Sequence, residues 1–566
     1  MVTLSRRLVI GAGLAGVGLG GLGSPLVYAA GETASWWRGA VIYEIYIRSF
    51  QDSNGDGIGD LNGIISRLDY LRDLGVDALW ITPFYPSPLV DFGYDISNYR
   101  AIDPAFGRLE DFDRLVREAK RRGLRIVIDM VLNHTSDQHP WFLASQASRT
   151  GDKADWYVWR DPKPDGGPPN NWESQFGGSA WRWSEARDQY YYHEFYTQQP
   201  DLNWRNPAVE AAMFDTIRWW MDRGVSGFRL DAITSIFEDE RDLDETYVTR
   251  PDGVRETSRE YTDNLSDIHP LLRRLRRVVD ERPGTVLIGE TYLPDATALR
   301  RYYGDHDELQ LAMNTRFAFV PEISAPVLRA RLADMASQLH DVTPLIFFDN
   351  HDNGRALNRY APPPGHEAAF AKLLAALLLT VNATAILYYG EEIGMTNHDP
   401  TRIEDVRDPV GRVKWPRDKG RDGERTPMQW NGGPGAGFTT AEKPWLPVGG
   451  DAALTNVAAE TQDPASILNF YKAILRLRRQ VKGLSHGALR LVGDDDPNVL
   501  SFLRIGPDSR PVLIACNLKN QPAVVIARGA QSLLSSGASV SGEQISLEPY
   551  GLFIGFVRPQ GDERAL

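Results

Sequence analysis

The stretch that decides the fold is LEDFDRLVREAKRRGLRIVIDMVLNH, residues 109–134. Its first half carries apolar side chains at helical spacing and ends at Gly123, which is typical of a helix with a glycine just past its C-terminus. Its second half, RIVIDMVLNH at 125–134, is an apolar run typical of a buried strand. A helix that leads directly into a buried strand predicts parallel strands joined by crossover helices.

The same alternation of apolar runs and amphipathic stretches continues along most of the chain. Eight strand–helix units in succession close into a (β/α)₈ barrel. The predicted fold class is therefore α/β, a (β/α)₈ TIM barrel with insertions over about residues 35 to 480. The other predicted strands are VIYEIYIRSF (41–50), DALWITP (77–83), GFRLDAI (227–233), TVLIGE (285–290), TPLIFFDNHD (343–352) and ATAILYYGEE (383–392).

Two regions break this alternation. Residues 135–203, after the third predicted strand, are rich in Trp, Tyr, Gly, Pro and Asp, which predicts an inserted irregular subdomain. Residues 485–566 contain short runs such as ALRLVG, VLSFLRIG and PVLIACNL, which predict a C-terminal antiparallel β domain. The barrel is then predicted to comprise residues 31–134 and 204–484.

The N-terminus has the pattern of an export signal. Arg6 and Arg7 precede a Gly-rich, moderately apolar stretch that ends in small residues at Ala29–Ala30, as in a twin-arginine signal. A retained membrane anchor is the alternative, but Gly and Ala give weak hydropathy and Pro25 interrupts the run. Residues 1–30 are therefore predicted to be a cleaved signal, which leaves a periplasmic or secreted bacterial protein without stable membrane insertion.

Composition narrows the range of partners. The 566-residue chain has a net charge of −13 and no basic run, so nucleic acid and anionic membranes are poor partner predictions. The only cysteine, Cys516, lies in the apolar run VLIAC, so it is predicted to be buried and no intrachain disulfide can form. The 15 Trp and 22 Tyr supply flat rings that suit stacking against sugars. No pattern indicates an oligomeric state.

Carboxylates stand at the ends of predicted strands. Asp231 ends the run GFRLD, Glu290 ends TVLIGE, and Asp352 follows IFFDNH. A single acid in such a place is often the N-cap of the next helix. In a (β/α)₈ barrel, however, catalytic groups gather at the C-terminal ends of the strands, so residues far apart in sequence converge. Three acids together, with Arg229, His134 and His351 on the same rim, therefore predict a catalytic site.

The chemistry that uses two such acids is glycoside hydrolysis. A retaining glycosidase needs an ionised carboxylate as nucleophile and a protonated carboxyl as acid, about 5 to 5.5 Å apart. Asp231 is the predicted nucleophile, kept anionic by Arg229, because alternate strand residues face the same side. Glu290, beside other acids, is predicted to have a raised pKa and to protonate the leaving oxygen. Asp352 is predicted to stabilise the oxocarbenium-like transition state.

The loop DSNGDGIGD, residues 52–60, allows two interpretations. Hard divalent cations take six to eight oxygen ligands at about 2.3 to 2.6 Å, which a short acidic loop with glycine can supply. The predicted ligands would be Asp52, Asn54, Asp56, Asp60 and the carbonyl of Ile58. The alternative is an ordinary turn, since Asp, Asn and Gly dominate turns without a metal.

Seven stretches in this order resemble the α-amylase family, glycoside hydrolase family 13, and within it the oligo-1,6-glucosidase and α-glucosidase branch. The resemblance extends from residue 36 to residue 430 and continues more weakly into the β domain. The stretches are WWRGAVIYEIYIRSFQDSNGDGIGDLNGI, DMVLNH, QPDLNW, GFRLDAI, IGET, DNHDNGR and GRDGERTPMQW.

The resemblance implies roles for the rim residues. Asp231 matches the nucleophile, Glu290 the acid/base and Asp352 the transition-state stabiliser. His134, Arg229 and His351 match residues that hold the glucosyl unit where the bond breaks. The loop 52–60 matches a structural site for Ca²⁺, or Mg²⁺ in its place, away from the catalytic acids.

The resemblance also implies a pocket closed at one end. In DFGYD, Asp91 and Tyr94 match the pair that grips the non-reducing end of the substrate and stacks on its ring. Arg425 in RTPMQW matches the arginine that pairs with that aspartate and blocks the pocket, which implies exo action on short oligosaccharides or disaccharides. Phe176 in SQFGGSAW is expected to form a wall on the acceptor side, with core packing as the alternative.

Three functions are compatible with these residues. The first is a retaining, exo-acting α-glucosidase with transglycosylation as a side reaction. The second is a glucosyltransferase or isomerase, such as a sucrose isomerase or trehalose synthase, although no RLDRD-like run follows Asp352. The third is a non-catalytic, transporter-associated homologue, which the complete set of acids disfavours. Ala232, where the branch often has Val or Thr, leaves the linkage specificity open.

Overall fold

The computed structural model describes residues 35–249, 253, 255–493, 496–506 and 510–558. The predicted signal peptide, residues 1–30, lies outside the described residues and stays a prediction. No helix in the described part of the chain is long and apolar enough to cross a bilayer.

Eight parallel strands form a barrel-like sheet, so the predicted fold class is confirmed. Along the sheet the order is β11-β10-β7-β3-β2-β1-β13-β12, and the two edge strands meet through a parallel bridge between Met313 and Leu345. Ile42 pairs with Ala78 on one side of β1 and with Ile386 on the other. The eight strands are β1 (Val41–Ile45), β2 (Ala78–Ile81), β3 (Arg125–Val131), β7 (Gly227–Asp231), β10 (Val286–Gly289), β11 (Leu311–Ala312), β12 (Leu345–Ile346) and β13 (Thr384–Tyr388).

Amphipathic helices cover the outside of the sheet. In α3, Phe112, Leu115 and Ala119 are buried at helical spacing, as the opening stretch of sequence predicts. The longer helices are α2 (Leu61–Leu74), α3 (Leu109–Arg121), α5 (Pro207–Asp222), α6 (Ile268–Val279), α9 (Ala325–Gln338), α11 (Glu367–Thr380) and α14 (Ile467–Gln480). The shorter ones are α1 (Ile47–Phe50), α4 (Pro140–Gln146), α7 (Ala296–Arg301), α8 (Thr315–Ala318), α10 (Ala356–Tyr360), α12 (Pro409–Lys414), α13 (Val457–Gln462) and α15 (Lys482–His486).

An irregular insertion follows β3, as predicted. It contains α4 and a small antiparallel sheet in the order β4-β6-β5, formed by Trp159–Arg160, Gln189–Tyr192 and Trp181–Ser184. Aromatic side chains form its core, with the rings of Trp172 and Trp181 stacked at 5.7 Å. A second excursion after β7 carries the short hairpin of β8 (Tyr247–Thr249) and β9 (Arg255–Thr257).

The C-terminal part is an antiparallel sheet, also as predicted. Its strands are β14 (Ala488–Val492), β15 (Val499–Ile505), β16 (Val512–Asn517), β17 (Ala523–Ile526), β18 (Gln531–Ser541) and β19 (Gln544–Phe556). Cys516 is fully buried within β16. The bounds given above for the barrel, the insertion and the β domain stay predictions.

Candidate active site

A cavity of about 1680 Å³ opens at the C-terminal ends of the barrel strands. Asp231 is the last residue of β7, and Glu290 directly follows β10, so the sheet presents both carboxyls at the same edge. Asp352 reaches the cavity from the segment after β12. The predicted residues that line the cavity are Asp91, Tyr94, His134, Phe176, Asp231, Glu290 and Asp352.

A buried arginine joins the two predicted catalytic carboxyls. Arg229 in β7 has no exposed side-chain surface, and its Nη1 donates to Asp231 Oδ1 at 2.6 Å. Its Nη2 lies 2.7 Å from Glu290 Oε1. Both carboxyls therefore contact the same planar guanidinium, through its two terminal nitrogens. Asp129 also accepts from Nη1, at 2.8 Å.

The backbone after β7 also orients Glu290. Ala232 has a φ of 44°, in the left-handed region that side-chain-bearing residues rarely adopt. Its N–H donates to Glu290 Oε2 at 2.9 Å. Strained backbone of this kind persists where surrounding contacts enforce it, often at functional sites.

Both carboxyls are shifted towards the protonated form. Burial raises the pKa of Asp231 to about 7, and Arg229 opposes this shift only in part. Burial likewise raises the pKa of Glu290 to about 7, again opposed by Arg229, while Asp231 adds to the rise. Burial therefore opposes the expected effect of Arg229 on Asp231, because the desolvation of the carboxyl outweighs the ion pair, and the expectation that Arg229 keeps Asp231 anionic stays a prediction. The two groups titrate as a pair near neutral pH.

Asp352 has the opposite electrostatic environment. Arg425 Nη2 donates to its Oδ1 at 2.8 Å and Arg421 Nη1 at 3.0 Å. Burial would raise the pKa of Asp352, but the charged guanidiniums of Arg421 and Arg425 lower it below its ordinary value. Asp352 is therefore an anion in the pocket over the whole range in which the pair above titrates.

His351 and Tyr94 stack on each other beside Asp352. Their rings are parallel within 3° at 5.4 Å, and Tyr94 Oη lies 2.7 Å from His351 Nε2. His351 Nδ1 lies 2.7 Å from Glu44 Oε1, and its Nε2 lies 3.1 Å from Asp352 Oδ2. Burial lowers the pKa of His351 well below its ordinary value, so the ring is neutral at physiological pH.

His134 lines the same cavity beside Asp91. Its Nε2 lies 3.0 Å from Gln199 Nε2 and 3.2 Å from the carbonyl oxygen of Tyr94. Burial lowers the pKa of His134 to about 3, so this ring is also neutral. A neutral imidazole offers one donor and one acceptor, which suits hydroxyl recognition.

The partner of Asp91 is Arg421, and the expectation that Arg425 fills this place is wrong. Arg421 Nη2 donates to Asp91 Oδ1 at 2.8 Å, while its Nε donates to buried Asp408 at 2.9 Å. Arg425 instead donates through Nε to the carbonyl of His351 at 2.6 Å and lies over the ring of Tyr46. The guanidinium four residues earlier is the one that reaches across the pocket, because Asp408 holds it there.

Phe176 lines the cavity, and its place on the acceptor side stays a prediction. Its ring stacks on Tyr196 at 4.3 Å, and the guanidinium of Arg421 lies 5.9 Å from its centre. Sequence reasoning missed three contributors to this site: Arg421, Asp408 and Asp129. Asp129 had a signal, since it is a charge inside the apolar run RIVIDMV. Arg421 lies in the stretch GRDGERTPMQW, which contains two arginines. Their spacing in the sequence could not show which of the two pairs with Asp91.

The loop 52–60 is closed by its own hydrogen bonds. Asp52 Oδ1 accepts from the N–H of Asn54 and of Gly55, and its Oδ2 accepts from Gly57 N–H at 2.8 Å. Asp60 caps α2 through Gly63 N–H, and Asp56 accepts from Ile58 N–H. Within the described ranges no three acidic, histidine or cysteine side chains converge as a metal site. The side-chain oxygens of Asp52, Asn54, Asp56 and Asp60 are nevertheless hard donors of the kind that Ca²⁺ takes, and the calcium site stays a prediction.

Comparison with known proteins agrees with this geometry. Residues 44–487 match the family model for the α-amylase catalytic domain. A probable α-glucosidase of Rhizobium meliloti is 45% identical over 83% of this chain and 87% of its own. The oligo-1,6-glucosidase of Heyndrickxia coagulans is 40% identical over 85% of this chain and 92% of its own.

A solved structure of an α-glucosyl transfer enzyme superimposes with a TM-score of 0.86 at 40% identity, covering 92% of this chain and 99% of that one. The match to the family model and the identity to these relatives extend over most of the chain. The protein therefore belongs to the α-amylase family and is a glycoside hydrolase.

Proposed function

We propose that the protein is a retaining, exo-acting α-glucosidase that releases glucose from short α-glucosides. The observation that carries this proposal is the shared guanidinium of Arg229, which sets Asp231 and Glu290 side by side in one cavity. Retention requires closely spaced carboxyls of this kind. The α-glucosidase and oligo-1,6-glucosidase relatives support the same activity.

The reaction then runs in two displacements. Asp231 attacks the anomeric carbon while the carboxyl of Glu290 protonates the departing glycosidic oxygen. The glucosyl–Asp231 ester forms as the bond to the leaving group breaks. Water next attacks the anomeric carbon and loses its proton to the Glu290 carboxylate, which restores the acid and frees Asp231.

One proton shared by the pair suits this chemistry. With both pKa values raised to about 7, the pair can hold one carboxylate and one carboxyl near neutral pH. Bonds from Arg229 favour the anion on either group, and the attacking group must be the ionised one. Asp352, held anionic by Arg421 and Arg425, lies where it can stabilise positive charge that develops on the sugar ring.

Exo action follows from the closed end of the pocket. Arg421 and Asp91 form a nearly buried ion pair at the cavity wall, with side-chain exposures of 14% and 8%. A longer chain could not extend past this pair on the non-reducing side. His134 and Asp91, which line the cavity, are then available to bind the hydroxyls of a single glucosyl unit.

Transfer to an alcohol is the second candidate. The glucosyl–Asp231 ester is common to both reactions, and one of the similar solved structures is an α-glucosyl transfer enzyme. Whether water or an alcohol reacts with the ester depends on which of the two occupies the acceptor side of the cavity.

Incubation of the purified protein with maltose, isomaltose, sucrose and trehalose, with products resolved over time, tests the proposal. Glucose that accumulates from at least one of them supports hydrolysis. New linkages without net glucose would favour the transferase or isomerase, and an inert protein would overturn the proposal.

Opening the closed end is expected to change the product pattern. Arg421→Ala leaves Asp91 without its partner and unblocks the pocket, so kcat/KM for a disaccharide should fall by about 10²-fold, as expected for a misplaced substrate. On maltoheptaose the variant should release maltose or longer products, whereas the native enzyme releases glucose only. Product sizes from chromatography provide the measurement.

The matched control is Arg402→Ala in the same segment. Arg402 forms a surface salt bridge with Asp405, and its side chain is 68% exposed. Surface salt bridges of this kind contribute little to protein stability. Its products and rates should equal those of the native protein. Glucose as the only product of Arg421→Ala would contradict the blocking role.

We also infer that the loop 52–60 binds Ca²⁺ as a structural ion. Trp445 N–H donates to Gly57 O at 3.0 Å and Thr439 donates to Asp52 at 2.5 Å, so an ion here would fasten two distant segments together. A chelator should therefore lower the melting temperature more than the initial rate. Bound Ca²⁺ at a hundred times its Kd would contribute about 2.7 kcal/mol.

The measurement is a thermal melt with and without EDTA, followed by added Ca²⁺. Asp56→Ala is the matched variant, because Asp56 is exposed at the loop tip and removing it should abolish the chelator effect. A melting temperature that EDTA leaves unchanged would refute calcium binding.

A further inference from the structure

An exposed tyrosine stands beside the predicted acid. Tyr292 follows Glu290 by two residues, lines the same cavity, and has 48% of its surface exposed. Contiguous exposed apolar patches, in contrast to single exposed residues, mark binding surfaces, so the neighbours of Tyr292 in the cavity lining decide what its exposure means. Its position matters because Glu290 protonates the leaving oxygen, so the leaving group must lie next to Glu290.

The ring of Tyr292 lies parallel to a second aromatic ring. Its plane lies within 4° of that of Phe319 at 6.4 Å, and Phe319 in turn packs edge-on against buried Phe347 at 5.6 Å. Asn353 donates to Tyr292 Oη at 3.4 Å. The ring therefore has an aromatic neighbour in the protein and still exposes about half of its surface where it lines the cavity.

A second apolar surface lines the cavity from the segment around α12. Val413 has 71% of its surface exposed, and Trp415 is half-buried beside it in the chain. Both line the cavity together with Tyr292. We call Tyr292, Val413 and Trp415 the outer rim.

We infer that the outer rim binds the leaving group or acceptor through an apolar face, so that alcohols with an aromatic ring are preferred acceptors. This inference rests on the proposed glucosyl–Asp231 ester. In the transfer step the alcohol oxygen bonds to the anomeric carbon, the ester bond to Asp231 breaks, and the alcohol proton goes to the Glu290 carboxylate. Aromatic stacking on Tyr292 would favour an aryl-bearing alcohol by about two- to tenfold.

Competition between two primary alcohols tests this directly. With 4-nitrophenyl α-glucoside as donor, nitrophenol reports total turnover, glucose reports hydrolysis, and benzyl or ethyl α-glucoside reports transfer. At equal concentrations of benzyl alcohol and ethanol, the native protein should form about two- to tenfold more benzyl glucoside. Tyr292→Phe should keep this ratio, and Tyr292→Ala should bring it close to one.

Two variants separate binding from folding. Val413→Ser, at a site too exposed to affect folding, should lower the benzyl-to-ethyl ratio, though less than Tyr292→Ala. Leu454→Ser is the matched control, since Leu454 is 82% exposed and lies outside the cavity lining, and it should leave the ratio unchanged.

The outcomes distinguish the two proposals. Absence of nitrophenol release by the native protein would refute the glucosidase itself. Two results would overturn only the inference about the outer rim. One is nitrophenol release with equal transfer to both alcohols, and the other is a benzyl preference that remains in Tyr292→Ala.

Discussion

Asp231→Asn is expected to reduce turnover by on the order of 10⁴-fold, as loss of a nucleophile does in enzymes that form covalent intermediates. The amide has the size of the carboxyl but cannot attack the anomeric carbon. Arg229 still has Asp129 at 2.8 Å and Glu290 at 2.7 Å, so the site keeps its shape. Release of nitrophenol from 4-nitrophenyl α-glucoside provides the rate.

The stability of this variant should not fall at pH 8. Burial raises the folded-state pKa of Asp231 to about 7, whereas an unfolded Asp has a pKa of about 3.9. The folded protein therefore holds a proton that the unfolded chain has lost, and stability declines as pH rises from about 4 to about 7. Asn cannot ionise, so the variant escapes this decline, and its melting temperature at pH 8 should equal or exceed that of the native protein.

A large drop in melting temperature together with the same loss of rate would mean that Asp231 stabilises the folded protein and that the loss of activity follows from unfolding. Near-native rates in a folded variant would reject the nucleophile assignment outright.

Glu290→Gln is expected to slow cleavage of disaccharides by about 10² to 10⁴-fold, the usual contribution of general acid catalysis. A sugar leaving group needs a proton, whereas nitrophenolate leaves without one. The loss of kcat/KM for 4-nitrophenyl α-glucoside should therefore be much smaller than the loss for maltose. Parallel rate measurements on the two substrates give the contrast.

The pH profile carries a second signature of Glu290. The pair with pKa values near 7 predicts a bell, in which the alkaline limb reports loss of the proton from the acid. Glu290→Gln should lose the alkaline limb. Glu238→Gln is the matched control, because burial also raises the pKa of Glu238 to about 7 but it lies outside the cavity lining. Equal losses on both substrates, or an alkaline limb that persists, would exclude Glu290 as the acid.

Much of the barrel could be predicted because its strands are buried on both faces. Continuous apolar runs such as RIVIDMV stand out against helical periodicity, and seven of the eight strands appear in this way. The eighth, β11, is only Leu311–Ala312, too short to give any periodic signal. The bridge between Met313 and Leu345 closes the barrel next to β11. Pairing within the closed barrel therefore defines this strand, which its own two residues do not predict.

The carboxyls could be located for the same reason, since a charge at the end of a buried strand needs an explanation. The contacts of Arg421 could not, because they depend on how the segment from Asp408 to Arg425 lies across the barrel mouth. The protonation state of Asp231 could not be predicted from the sequence either. Whether burial or Arg229 prevails at Asp231 is set by desolvation, which sequence spacing does not report.

The most direct measurement is to trap the glucosyl–enzyme ester with a slow 5-fluoro-α-glucosyl fluoride and to map the labelled peptide by mass spectrometry. The added fluoroglucosyl mass is expected on the carboxyl of Asp231, in the peptide that contains GFRLDAI. A label on Glu290 or Asp352, or inactivation without any covalent sugar, would contradict the account.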